Sequence, residues 1–179
     1  MLYVVGWVRG VTWLDNVMYV VCYKSSTILL YNTDTYSPLD VVINVDRMRN
    51  PSDIAICRDD RQLYVADCYC IWRVSADDHS YVKWLTTQST TDTFDVDTLS
   101  VTSRRVLVKS CRPPGLRQYS TTNRQLLHHV PLPPRVKDLW HAVETTRQTF
   151  VIGHTGTSQN ERQHAVSELF SFFTVGEWI

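Results

Sequence analysis

The sequence lacks an excess of either charge, a long apolar run and a helical hydrophobic period. Its 179 residues include 18 basic and 18 acidic side chains, and the formal net charge is zero. This balance excludes a global attraction to nucleic acid or to an anionic membrane surface. No apolar run reaches the roughly 18 residues that a transmembrane helix needs, and no stretch keeps the period of a helical repeat protein. The sequence therefore predicts a soluble, cytoplasmic protein built from strands.

The five cysteines follow neither a disulfide pattern nor a metal-binding one. They are Cys22, Cys57, Cys68, Cys70 and Cys111. Their number is odd and they lie in apolar, strand-like runs, which is typical of reduced, buried thiols. A single residue separates Cys68 from Cys70, and no second pair stands at zinc spacing. We expect structural cysteines and neither a metal nor a cofactor.

Motifs for catalysis are missing as well. The chain has no Gly-x-Ser-x-Gly elbow of a serine hydrolase. The segment Gly153–Thr157 lacks the Gly-Lys-Ser/Thr ending of a phosphate loop, and we interpret it as a flexible turn. His128 and His129 should point to opposite faces of a strand, and His141 stands alone, whereas a metal site needs three or more ligands. We expect no catalytic residues.

The sequence does contain a repeated unit of strands. Four strand-like runs centre on Tyr19, Tyr64, Leu107 and Phe150, at spacings of 45, 43 and 43 residues. Each has further strand-like runs on both sides, separated by short polar segments of hairpin length. Four strands in about 43 residues match one blade of a β-propeller. We predict an all-β propeller of about four four-stranded antiparallel blades, with repeats over about residues 10–46, 51–88, 94–131 and 135–175.

The central unit resembles the NHL repeat. The resemblance is carried by Pro51–Ala55 (PSDIA), Leu63–Asp67 (LYVAD) and Ile71–Val74 (IWRV), whereas the other three units share only the period. NHL repeats form β-propellers, most often with six blades, which is the fold that the resemblance implies. Four units leave a four-bladed ring, an open arc or a piece of a longer chain. We expect a piece of a longer chain, because Met1 begins within strand-like sequence.

The candidate site lies on one face of the predicted propeller. The loops between second and third strands, and between successive blades, share this face, which we call the loop face. Basic residues outnumber acidic ones in these loops. The candidate binding residues are the aromatic and basic loop positions Tyr23, Lys24, Arg47, Arg49, Tyr69, Arg112, Arg135 and Lys137.

Three functions remain open for such a scaffold. Because loops on rigid scaffolds carry function, the leading hypothesis is non-enzymatic binding of a protein or peptide. The second is single-stranded RNA binding on the same face, as in some NHL propellers. The third is a metal-dependent hydrolase or lyase of the propeller type. An incomplete ring could also self-associate through its open ends.

Overall fold

The chain folds into four antiparallel sheets of consecutive strands. The computed structural model describes residues 6–87, 93–102, 104–112, 114–132, 137–145, 149–155 and 164–169. Blade 1 contains β1 (Val8–Leu14), β2 (Val17–Cys22), β3 (Thr27–Asn32) and β4 (Pro38–Asn44); blade 2 contains β5 (Pro51–Cys57), β6 (Gln62–Asp67), β7 (Cys70–Ser75) and β8 (Tyr81–Thr86). Blade 3 contains β9 (Thr98–Thr102), β10 (Arg105–Cys111), β11 (Pro114–Ser120) and β12 (Leu126–Pro131); blade 4 contains β13 (Lys137–Glu144), β14 (Phe150–Thr155) and β15 (His164–Leu169). These residues include no helix, and so none that could cross a membrane.

The four sheets are the blades of an open propeller. Their first strands contact one another in the order β1, β5, β9 and β13. Among the described residues, β13 does not touch β1, so the arc does not close. This arrangement confirms the predicted all-β propeller with an incomplete ring. Residues 170–175, for which the sequence leaves open either the outer strand of the last unit or a ragged end, lie outside the described residues.

Stacking of the blades buries both faces of their middle strands. Leu63 and Val65 of β6 pack against blade 1, whereas Tyr64 and Ala66 of the same strand pack against blade 3. This explains why the middle strands are continuously apolar rather than alternating. Between blades 2 and 3, the fully buried Trp84 lies edge-on to an aromatic ring from each blade, which fills the wedge between the sheets.

The first strands of blades 1, 2 and 3 lie in direct contact, each with the next. A Cβ atom added to Gly10 would lie 2.6 Å from the backbone nitrogen of Ile54, so only glycine fits there. The Asp53 carboxylate accepts hydrogen bonds from the backbone N–H of Ile54 and of Leu99, both at 2.8 Å. Burial raises the pKa of Asp53 above its usual range. This side chain therefore joins blade 2 to blade 3.

A buried carboxylate also joins blade 3 to blade 4. Glu144, at the end of β13, accepts a hydrogen bond from the guanidinium of Arg105 at 2.7 Å and from the amide of Gln118 at 2.7 Å. The Thr102 hydroxyl donates a third bond to it at 3.0 Å. The three donors come from β9, β10 and β11, so one side chain touches every inner strand of the neighbouring blade.

One local prediction is wrong. Gly153–Thr155 continues β14 instead of forming a flexible turn, and it pairs with both β13 and β15. Ladder hydrogen bonds on both sides override the weak strand preference of glycine. His154 is buried there. Gly156 and Thr157 lie outside the described residues.

Candidate binding surface

A buried aspartate fixes the loops of blade 2 on the loop face. Asp67 ends β6 and is 6% exposed. Its carboxylate accepts the backbone N–H of Asn50 at 2.8 Å, the backbone N–H of Arg49 at 3.2 Å and the indole N–H of Trp72 at 3.0 Å. The first two donors lie in residues 45–50, which connect blade 1 to blade 2. Asp67 therefore holds this connection, and the side chains on it, against the β6–β7 turn.

Two adjoining clefts open beside that turn. The first, about 500 Å³ in volume, is lined by Arg47, Arg49, Asp67, Cys68, Tyr69, Cys70, Lys83 and Thr86. The second, about 250 Å³, is lined by Arg9, Asn50, Ser52, Cys68, Tyr69, Asp95, Val96, Asp97 and Arg112. Both are open to solvent, and both share Cys68 and Tyr69. The exposed Tyr69 ring is thus the boundary between them.

Four of the predicted binding residues line these clefts. Arg47, Arg49 and Tyr69 line the first cleft, and Arg112 joins Tyr69 in the second. They come from three separate connections: blade 1 to blade 2, β6 to β7, and β10 to β11. The fold brings them together because all three connections emerge on the loop face.

Tyr23 and Lys24 lie in the β2–β3 turn of blade 1, beside the second cleft. The guanidinium of Arg9, which lines this cleft, lies 4.9 Å from the centre of the Tyr23 ring. The ammonium of Lys24 lies 5.2 Å from the same ring, and the exposed Trp7 stacks on it at 6.0 Å. Arg9 therefore connects the turn to the cleft.

The last two predicted residues are not placed in either cleft. Lys137 begins β13. Arg135 lies outside the described residues. The structure therefore brings together candidates from blades 1, 2 and 3.

The acidic side chains of the clefts are matched by partners. Asp95 accepts two hydrogen bonds from Arg112, one from the backbone at 2.8 Å and one from the guanidinium at 3.3 Å. Asp97 pairs with the buried ammonium of Lys109. In contrast, the exposed Arg47, Arg49 and Lys83 form no ion pair within the described part of the chain. The first cleft therefore has an excess of positive charge, with these three cations against the single carboxylate of Asp67.

Lys83 and Arg9 are the basic residues of the clefts that the sequence analysis missed. Both lie on strands rather than in loops: Arg9 on β1 and Lys83 on β8. Register places Lys83 opposite Trp72, and its ammonium lies 5.2 Å from the indole ring. The sequence carries no local signal for this contact, because it depends on the register between β7 and β8.

The chemistry of the clefts favours binding over catalysis. Burial raises the pKa of the Cys70 thiol to about 11, with a further contribution from the Asp67 carboxylate, so this thiol stays protonated. Cys68 is half-buried and accepts a hydrogen bond from the Asn50 amide at 3.4 Å. Over the ranges given above, no three His, Cys, Asp or Glu side chains are grouped so that they could hold a metal ion.

Comparison with known proteins shows the fold. No protein-family model and no curated protein matches the chain. It is similar to the hydrazine synthase of Kuenenia stuttgartiensis, with 13% identity, a TM-score of 0.66 and coverage of 85% of this chain and 45% of that one. It is also similar to the WD40 β-propeller domain of Doa1, with 16% identity, a TM-score of 0.63 and coverage of 83% and 48%. A third similar structure is a nidogen/laminin complex, with 13% identity, a TM-score of 0.65 and coverage of 83% and 57%.

These identities support a common fold and no more. The chain spans about half the length of the solved structures it matches. Because no protein-family model matches, the resemblance to the NHL repeat stays a prediction. The described blades and the comparisons agree on the architecture: the chain has the β-propeller fold, with four blades in an open arc.

Proposed function

We propose that this chain is a non-enzymatic scaffold that binds a protein or peptide partner on its loop face. One observation carries the proposal: cations and an exposed tyrosine from three connections converge on two adjoining clefts. Two of the similar structures support it, because one is a WD40 propeller domain and another is a complex of two proteins.

The composition of the surface suits a protein interface. Arginine and tyrosine are enriched among the residues that dominate binding energy, because both combine a large contact area with hydrogen-bonding capacity. Asp67 holds Arg49 and Asn50 by their backbone, so the connection that carries Arg47 and Arg49 is ordered before a partner arrives. Such preorganisation lowers the entropic cost of association.

The test compares partner binding by a variant with reversed charges on the loop face and by a variant with reversed charges on the opposite face. Arg49 and Arg112 are both exposed, and we would change them together to glutamate. The matched control changes Arg58 and Arg124 to glutamate; both are exposed, and both lie in turns on the opposite face. Each protein is immobilised and used to capture partners from a cell lysate.

We expect the loop-face variant to lose partners that the wild type and the control variant retain. Melting curves should match, because exposed charges contribute little to stability. Equal capture by all three proteins would refute binding on the loop face. Capture that persists after the loop-face change but disappears in the control would instead assign binding to the opposite face.

A further inference from the structure

The first cleft has a more specific character than the loop face as a whole. Arg47, Arg49 and Lys83 surround it without an ion-paired partner among the described residues. Its one acidic side chain, Asp67, points its carboxylate at two backbone N–H groups and at an indole N–H. That carboxylate therefore accepts three hydrogen bonds from the protein itself, whereas the three cations of the same cleft are exposed to solvent.

We propose that the first cleft receives an acidic peptide segment, whose carboxylates pair with Arg47, Arg49 and Lys83 while an apolar or aromatic side chain packs on Tyr69. This proposal rests on the proposed function and names the class of partner. Electrostatic complementarity of this kind steers the encounter and excludes basic partners. The planar guanidinium groups of two arginines can each hold a carboxylate through two hydrogen bonds.

The distribution of charge favours a peptide over single-stranded RNA. An RNA backbone is a continuous row of phosphates, and proteins that bind it combine a positive groove with aromatic rings for successive bases. Here the second cleft continues the first one with Asp95 and Asp97, and Tyr69 is the aromatic residue that the two clefts share. A peptide can place its carboxylates over the three cations and uncharged residues beyond Tyr69.

The variant for this proposal removes positive charge from the first cleft alone. It carries Arg47→Glu and Lys83→Glu and leaves Arg49 unchanged. The control variant, Arg58→Glu with Arg124→Glu, matches it closely. Arg47 and Arg124 both have left-handed backbone, at φ 71° and 62°.

The second pair of positions is matched as well. Lys83 lies 5.2 Å from the centre of the Trp72 ring, and Arg58 lies 5.3 Å from that of the Trp13 ring. The two variants therefore change the net charge by the same amount, and each removes one cation–π contact of similar length. Any difference in binding between them reports the position of the charge.

The experiment selects displayed random peptides on the wild-type protein and counter-selects on the cleft variant. The expected peptides are rich in aspartate and glutamate and contain an aromatic or large apolar residue. A synthetic peptide of the selected sequence should bind about tenfold or more weakly to the cleft variant, and equally well to the control variant, since several charge pairs are lost together. Replacing its acidic residues by the corresponding amides should weaken binding similarly.

The possible results separate the two proposals. Neutral or basic peptides that bind the wild type and fail on the cleft variant would overturn the acidic class but leave loop-face binding intact. Peptides that bind both proteins equally, or no selected peptides at all, would overturn the inference for this cleft. An oligouridylate that binds more tightly than the selected peptide, and is lost on the cleft variant, would overturn it in favour of RNA.

Discussion

Asp67 should couple energetically to Trp72 through one hydrogen bond. The change Asp67→Asn keeps the size of the side chain but replaces one acceptor oxygen with an NH₂ group. The remaining oxygen can still accept the backbone N–H of Asn50, which lies 2.8 Å from the carboxylate in the native protein. The NH₂ group then faces the indole N–H of Trp72, which now lies 3.0 Å from the other carboxylate oxygen. Two donors would oppose each other in a buried site.

The expected cost of Asp67→Asn is about 2–3 kcal/mol of unfolding free energy. A buried donor left without an acceptor costs about 1–3 kcal/mol, and bonds to a charged acceptor lie near the upper end of that range. A loss of this size is a large part of the 5–15 kcal/mol that ordinary domains possess. The variant should therefore unfold at clearly lower urea concentration.

The partner change Trp72→Phe removes the opposing donor. In its background, Asp67→Asn should cost about 1–3 kcal/mol less than in the wild type, because no indole N–H is left unsatisfied. Urea unfolding of the wild type, both single variants and the double variant measures this coupling. Costs that add within about 0.5 kcal/mol would refute the assignment of Asp67 as the shared acceptor.

The same variant distinguishes ordering from simple electrostatics at the first cleft. If Asp67 acted only through its negative charge, removing that charge beside Arg47 and Arg49 would strengthen binding of an acidic peptide. Because the oxygen that becomes an NH₂ group also accepts the backbone N–H of Arg49 at 3.2 Å, we expect Asp67→Asn to loosen this connection and to weaken that binding instead. The measurement is the affinity of the selected peptide for folded Asp67→Asn protein.

Three further predictions follow from contacts elsewhere in the chain. Gly10→Ala should destabilise the protein by about 1–3 kcal/mol in urea unfolding, since the added methyl group overlaps the neighbouring blade, whereas Gly153→Ala, with its nearest contact at 4.0 Å, should be close to neutral. Glu144→Ala should cost about 3–5 kcal/mol, because it leaves an arginine and two polar side chains without their acceptor; an unchanged unfolding midpoint would contradict this role. Iodoacetamide at pH 8 should alkylate Cys68 well before Cys70, since the Cys70 pKa of about 11 leaves little thiolate. Raising the pH toward 11 should reduce the difference between the alkylation rates of the two thiols, which peptide mapping measures.

The fold was predictable because its signal is local and repeated. Each middle strand is a short run of β-branched and aromatic residues, as in Val17–Cys22 and Gln62–Asp67, bounded by polar turns. Each blade contacts the blade that follows it in the sequence, so the repeat period alone is enough to predict the order of the blades. The segment Gly153–Thr155 was wrongly predicted to be a turn, because its strand is stabilised by pairing with β13 and β15 rather than by the strand preference of its own residues.

The site was predictable only where its residues lie in loops. Arg47, Arg49, Tyr69 and Arg112 belong to connections whose face follows from the blade topology. Lys83 lies on an outer strand, and its position beside the cleft depends on the register that sets it opposite Trp72. Strand register is a property of the paired sheet, so a single run of residues does not specify it.

The numbers of basic and acidic residues on the loop face do not show which of the two clefts attracts an acidic partner. Two basic residues near the second cleft, Arg112 and Lys109, are matched by Asp95 and Asp97, so their charges add little to the attraction of a partner. Among the described residues, the second cleft then has Arg9 as a cation without an ion pair, whereas the first cleft has three such cations against the single carboxylate of Asp67. The two clefts therefore differ in how many of their cations are already ion-paired. An acidic partner should prefer the first cleft, even though the chain as a whole has no net charge.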